Sequence, residues 1–163
     1  MTRTITSFLL GAILIALASQ YASSQTAPAQ IVKERQEAME SLWRDSYKAI
    51  AGTVRADQPD LTLVAANAAK ANETLKKLAT LFPPGTGRDA VPDTRAKPEI
   101  WSNRAEFETA LNTLADASKA LADDAKAGSV EKVKADWTNL AKACGGCHGG
   151  PAKSGGKFRF EKE

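Results

Sequence analysis

The sequence has one histidine and two cysteines in 163 residues, and only 6% of it is aromatic. All three of those scarce metal-binding side chains fall within Cys144-Gly145-Gly146-Cys147-His148. A structural zinc site needs four ligands, and no second cysteine or histidine cluster exists to complete one. A thioredoxin-type dithiol should follow a strand and open a helix in a βαβ unit, and nothing in the chain reads as a strand. A disulfide between Cys144 and Cys147 would be strained and would leave His148 without a role. The chain also lacks paired carboxylates or an activated nucleophile on a recognisable scaffold, internal repeats and low-complexity segments, so an enzyme is not expected.

No apolar run reaches the roughly twenty residues that a membrane-spanning helix needs. The longest, Phe8 to Ala18, follows Arg3 and precedes Ala22-Ser23-Ser24, the pattern of an export signal peptide over residues 1–24. An uncleaved membrane anchor is the competing reading, but no stop-transfer pattern follows. Removal of residues 1–24, whose only charge is Arg3, takes the formal net charge from +3 to +2. That small balance, with acids and bases interspersed, gives no basis for nucleic-acid binding. The remaining 139 residues, 163 less 24, make one domain able to bury a core without disulfides.

What is present is Ala, Leu, Lys and Glu, punctuated by Pro and Gly at a few places, the composition of helices joined by tight turns. Four helices are expected. The first runs over Ala29–Val54. The second, Pro59–Leu81, has Asp57 as its cap and stops before Pro83-Pro84. The third, Pro98–Ala127, is ended by Gly128, and the fourth, Ser129–His148, has Ser129 as its cap. Leu61, Val64, Ala68, Ala71, Leu75 and Leu78 recur at helical spacing, as do Phe107, Leu111, Leu114, Ala117, Leu121 and Ala125. Short connections near residues 56 and 128 make neighbours antiparallel, so the expected fold is an all-α, up-down-up-down four-helix bundle over residues 25–148, followed by a tail, 149–163.

C-x-x-C-H is the attachment signature of haem c: two thiols add to the porphyrin vinyls and the adjacent imidazole ligates the iron. At about 100° per residue, Val133, Trp137, Leu140 and Cys144 share one face, so the attachment groups point with the core stripe. Met39 sits at the centre of the apolar face of the first helix and is the only methionine outside position 1. With no second histidine, a conventional second axial ligand would be Met39 or a lysine. The plainer reading of Met39 is a flexible core side chain. Arg35, beside it, needs either an anion, such as a haem propionate, or a route to solvent along its stem.

Arg35-Gln36-Glu37-Ala38-Met39, Phe82-Pro83-Pro84-Gly85-Thr86, Pro98-Glu99-Ile100-Trp101-Ser102 and Cys144 to His148 together resemble the class II cytochromes c, cytochrome c-prime and its low-spin relatives. The resemblance spans about Ile31 to His148. It implies a single covalent haem c held by Cys144 and Cys147, iron ligation by His148, a propionate contact from Arg35, and Phe82 and Phe107 near the haem. The position of Met39 faces the iron in that family. A methionine there implies a six-coordinate, low-spin electron carrier; a non-ligating residue leaves a five-coordinate iron open to nitric oxide or carbon monoxide. Homodimers through the first two helices are common in the family.

The leading expectation is thus a periplasmic His148/Met39-ligated electron carrier serving other periplasmic redox proteins, with the gas-binding protein as the alternative and a haem-free structural bundle as a third reading. Arg88, Arg95 and Lys97, on the long loop 82–97, would steer an acidic redox partner, unless they are simply solvated charges. Gly149-Gly150-Pro151 and Gly155-Gly156 depart from the family pattern, in which the haem helix continues to an aromatic-basic pair. They should break the helix after His148, leaving Arg159 to supply the basic group by folding back or leaving a mobile terminus. The mass of the purified exported protein is expected to exceed that of its polypeptide by one haem; an unmodified mass would remove the basis of the whole reading.

Overall fold

The computed structural model describes residues 27–149 and 155–161. The expected signal peptide, 1–24, lies outside the described residues. The first helix of the bundle has three parts, α1 (Pro28–Ser41), a π-helical segment (Leu42–Tyr47) and α2 (Lys48–Thr53). Its ends match expectation, with Pro28 in the first turn, but periodicity did not foretell the wider turn in its middle.

The second helix is α3 (Leu61–Ala79). Its cap is Asp60, not Asp57: the Asp60 carboxylate accepts from Leu63 N–H at 2.9 Å, and Asp60 N–H donates to Thr53 Oγ1 at 2.7 Å. Pro59 therefore lies before the helix instead of in its first turn. The third helix is broken near its start into α4 (Glu99–Ser102) and α5 (Arg104–Lys126). Asn103 makes the break, with φ −117° and ψ 49°, a conformation outside the helical region. Beyond Lys126, Gly128 has φ +79°, and Ser129 N–H donates to Asp124 O at 3.0 Å, the long bond of a Schellman ending.

The fourth helix is α6 (Val130–His148). Ser129 holds the cap position without a side-chain bond, and the helix stops at Gly149, where φ is +80°. Among the described residues there is no strand, only an isolated bridge between Ala96 and Arg159. The fold is the expected all-α four-helix bundle. No described helix is long and apolar enough to cross a membrane.

Packing follows the apolar stripes. Val64, Ala68, Ala71 and Leu78 of α3 meet Leu121, Ala122 and Ala125 of α5, and Val133 and Leu140 of α6 complete the same core. Ala68 and Ala71 are fully buried, and such small side chains let helix backbones approach closely. One polar chain crosses this core: Tyr47 OH donates to Ser118 Oγ at 3.3 Å, which donates to Ala68 O at 3.2 Å, leaving neither buried hydroxyl without a partner.

Helices adjacent in sequence come within 8 Å, Cα to Cα, along much of their length. The first helix and α6, which a closed bundle would also pair, show no comparable approach. The bundle is thus a ring with one open seam. Asp60→Ala should cost about 1 kcal/mol in denaturant unfolding, while Asp57→Ala should stay within about 0.5 kcal/mol of the parent; equal midpoints for the two variants would refute the cap assignment.

Candidate functional site

The last two turns of α6 bring Cys144, Cys147 and His148 half-buried to one end of the seam. Both thiols are free, so the disulfide reading is not what forms. Beside Gly145 and Gly146 a Cβ would meet nothing within 4 Å, so the backbone between the cysteines borders open space. Burial raises both thiol pKa values, with Cys144 adding to the shift on Cys147. Burial, and then the positive charges of Arg159 and Arg95, push His148 below the ordinary histidine range. That favours the neutral imidazole, the form that offers a lone pair to a metal. Among the described residues no three His, Cys, Asp or Glu side chains are grouped to hold a metal ion by themselves.

On the first helix Arg35, Met39, Trp43 and Tyr47 recur four residues apart. Tyr47 reaches α6. Its ring meets Trp137 of α6 edge-on at 6.3 Å, and the Cys144 thiol helps burial push its pKa up to about 12. Met39 is half-buried and packed against the core. Trp43 is 57% exposed, the one large hydrophobic side chain of the core-forming helices left in the open.

Arg35 is neither snorkelling nor paired with a carboxylate among the described residues. It is 4% exposed. Its Nη1 donates to Leu81 O at 3.3 Å and Thr86 Oγ1 at 3.4 Å, and its Nη2 to Thr86 O at 3.1 Å and Thr94 Oγ1 at 2.9 Å. The guanidinium also lies 4.6 Å from the centre of the Phe82 ring. Burial lowers its pKa to about 10, still charged at neutral pH. The first helix thereby holds the loop 82–97 in place by a buried cation.

Phe82 and Phe107, the two aromatics expected near the haem, touch at 4.7 Å in a T-shaped pair. A third ring, Phe158, packs on Phe107 at 5.3 Å and is 4% exposed. It comes from the tail, whose residues 155–161 fold back on the bundle. Phe158 N–H donates to Cys147 O at 3.3 Å, Lys97 N–H to Phe158 O at 3.1 Å, and Phe160 N–H to Arg95 O at 2.8 Å. A Cβ on Gly149 would overlap Gly155 O, and one on Gly156 would overlap the backbone of Cys147 to Gly149, so both contacts depend on glycine. The sequence signal for this docking was the alternation Phe158-Arg159-Phe160 after a glycine pair, read beforehand as either a returning arginine or a mobile end.

Two surface recesses, of about 320 Å³ beside Phe82, Pro83 and Trp101 and about 420 Å³ between Glu34, Ser41, Lys70 and Lys77, lie on other faces and do not touch the motif. The chemistry instead collects at the end of α6: two thiols, an imidazole whose neutral form burial favours, and the docked ring of Phe158 beside Phe107. This donor set fits a haem c. Cys144 and Cys147 would hold it covalently and His148 would ligate its iron, which defines the class as a helical bundle built around a covalent haem.

Residues 30–150 match the family model described as Cytochrome C', and the chain belongs to that family. It is 34% identical over 122 residues to the cytochrome c' of Rubrivivax gelatinosus, covering 74% of this chain and 92% of that one. It is 32% identical over 132 residues to cytochrome c-556 of Rhodopseudomonas palustris, covering 78% and 85%. Among solved structures, cytochrome c' of Rubrivivax gelatinosus superposes with a TM-score of 0.69 at 30% identity, over 83% of this chain and 98% of that one. A nitric oxide complex of a variant cytochrome c' from Alcaligenes xylosoxidans superposes at 0.66 and 26% identity, over 77% and 95%. The family carries a covalently attached haem c.

Arg35→Leu would leave two buried carbonyls, Leu81 O and Thr86 O, without the donor they have here, each worth about 1–3 kcal/mol when left unpaired, while the Thr86 and Thr94 hydroxyls keep bonds to Pro83 O and Ala96 N–H. It should lower the unfolding midpoint and open residues 82–97 to limited proteolysis. Arg35→Lys should not rescue it, because one ammonium cannot reach all four oxygens. Parent-like protease resistance in both variants would show that the loop holds itself.

Proposed function

We propose that the protein is an exported, periplasmic monohaem cytochrome of the c' kind that binds nitric oxide or carbon monoxide, with residues 1–24 as its signal peptide. This is the alternative weighed in the sequence, and it moves ahead of the His148/Met39 electron carrier because the relatives named cytochrome c' and the nitric oxide complex among the solved structures favour it. The observation in this chain that carries it is Met39. Its side chain is half-buried and packed against the core, which supports a thioether whose apolar contact needs no iron. The haem, once bound, supplies an iron with one face held by the protein and the other open to a small diatomic ligand.

The chain's own residues shape that outcome. His148 is kept neutral and half-buried, ready to ligate. Phe82 and Phe107, packed ring to ring and buried, would help to keep water from a haem held beside them. Arg35 fixes the loop that borders the seam. No substrate turnover is involved, so the role is not enzymatic. The groove between the first helix and α3, which mixes Glu34, Glu37 and Glu73 with Lys70 and Lys77, suits a homodimer through the first two helices, since acids and bases there can pair across a two-fold axis.

The second reading is the low-spin electron carrier, in which Met39 ligates the iron opposite His148 and the partners are other periplasmic redox proteins. It is favoured by the presence of sulfur at this position and by the cytochrome c-556 relative. The ferric spectrum decides between them. The gas-binding reading expects a high-spin ferric signal without a methionine-to-iron charge-transfer band, carbon monoxide uptake by the ferrous protein, and an unchanged spectrum in Met39→Leu. A low-spin parent that becomes high-spin and takes up carbon monoxide only as Met39→Leu would establish the electron carrier instead.

A further inference from the structure

The last turn of α6, which carries Cys147 and His148, is weak helix by its own sequence. Gly145 and Gly146 lie inside it and Gly149 follows it, and a glycine within a helix costs about 1 kcal/mol relative to alanine. The carbonyls of a last turn also have no partner inside their own helix. Gly145 O accepts from Gly149 N–H at 2.7 Å, the final bond of the helix. Beyond it, Cys147 O takes its donor from the tail, Phe158 N–H at 3.3 Å.

Residues 155–161 are themselves anchored on two other elements. The buried ring of Phe158 packs on Phe107 of α5, and Lys157 pairs with Glu106 in the first turn of the same helix. On the loop, Lys97 N–H donates to Phe158 O and Phe160 N–H to Arg95 O, one bond on either side of the bridge between Ala96 and Arg159. Arg35 in turn fastens that loop to the first helix. A Cβ on Gly156 would overlap Cys147 O and the carbonyl carbon of His148, so the segment lies directly against the backbone of the histidine. One short stretch of chain thus ties the weakest turn of α6 to α5 and, through the loop, to the first helix.

We propose that residues 155–161 form a strap that positions the iron ligand, with Phe158 as its anchor and positioning residue: by holding the last turn of α6, the strap fixes the orientation of the His148 imidazole. The proposal rests on the reading of His148 as that ligand. The ring orientation of a ligating histidine is set by the contacts behind it as much as by the metal. Thioether links at Cys144 and Cys147 would hold two points of the turn, but the imidazole follows the backbone of residue 148, next to the carbonyl that Phe158 caps. The strap lies outside residues 30–150, the extent of the family match.

Two measurements on the full-length, haem-loaded protein, on F158A and on a chain ending at Ser154 test the strap. Ferric paramagnetic resonance reads the imidazole, because the g values of haem iron depend on ligand orientation in the high-spin and the low-spin state alike. Hydrogen exchange reads the helix end, through the Gly149 amide bonded to Gly145 O. In both variants that amide is expected to exchange at least about tenfold faster than in the parent, and the ferric resonance to shift or broaden. Parent values for both readouts in the truncated chain would overturn the proposal, since the thioether links alone would then hold the turn. Faster exchange beneath an unchanged resonance would overturn it as well, leaving a helix cap with no hold on the imidazole. If F158A yields no folded protein, the truncated chain decides alone, because it keeps every residue of the bundle. A parent without covalent haem, recognisable from its mass before any spectrum is taken, would instead be the failure of the haem reading.

Discussion

A ring of four helices has four seams, and the sequence here gives close packing to three. Alanine and leucine stripes bring α3 against α5 and α5 against α6, and the first helix lies on α3. The fourth seam, between the first helix and α6, is spanned by side chains, Tyr47 against Trp137, without close approach of the backbones. The scarce chemistry of the chain gathers there. Cys144, Cys147 and His148 lie half-buried at the end of α6, and Met39 packs half-buried against the core from the first helix. Packing alone would favour closing that seam, so leaving it open is consistent with a bundle whose remaining apolar surface is reserved for a flat, apolar cofactor.

Two attachments keep the open seam in shape at the end nearest the motif. The buried guanidinium of Arg35 binds the loop 82–97 to the first helix through four neutral oxygens, which lets the charge persist without a carboxylate. The tail binds the other side of the same loop to the end of α6, with Phe158 extending the Phe82–Phe107 pair into a row of three rings. On the outer side, Arg88 lies 4.0 Å from the centre of the Phe160 ring and Lys97 5.6 Å from it, so charges that read in the sequence as a steering patch also serve to hold the tail.

The attachment motif, the four helical stripes and the stops at Pro28 and Gly128 were legible because each rests on local chemistry: an exact residue spacing, a 3.6-residue period, a fixed or positive φ. The missed features depend on tertiary context. Asp57 and Asp60 are equally good caps by residue type, and only the bond from Asp60 to Thr53 across the turn selects the second. Asn103 breaks the third helix between Ile100 and the apolar stripe that starts at Phe107, where no proline or glycine marks a stop. For Arg35, burial was legible but its partners were not, since they lie about fifty residues away. The docking of the tail needed a contact between Phe158 and Phe107 that no periodicity reports.

The π-helical segment has a geometric effect on the seam. In a regular α-helix, residues four apart drift by about 40° per step, so a stripe taken every fourth residue winds off its face within a few turns. The wider turn over Leu42–Tyr47 winds in the opposite sense. It takes back part of the drift accumulated between Arg35 and Trp43 and turns Tyr47 towards the side of Met39. The segment thus acts as a partial phase correction within the first helix, and Ile50 and Val54 beyond it still reach the core.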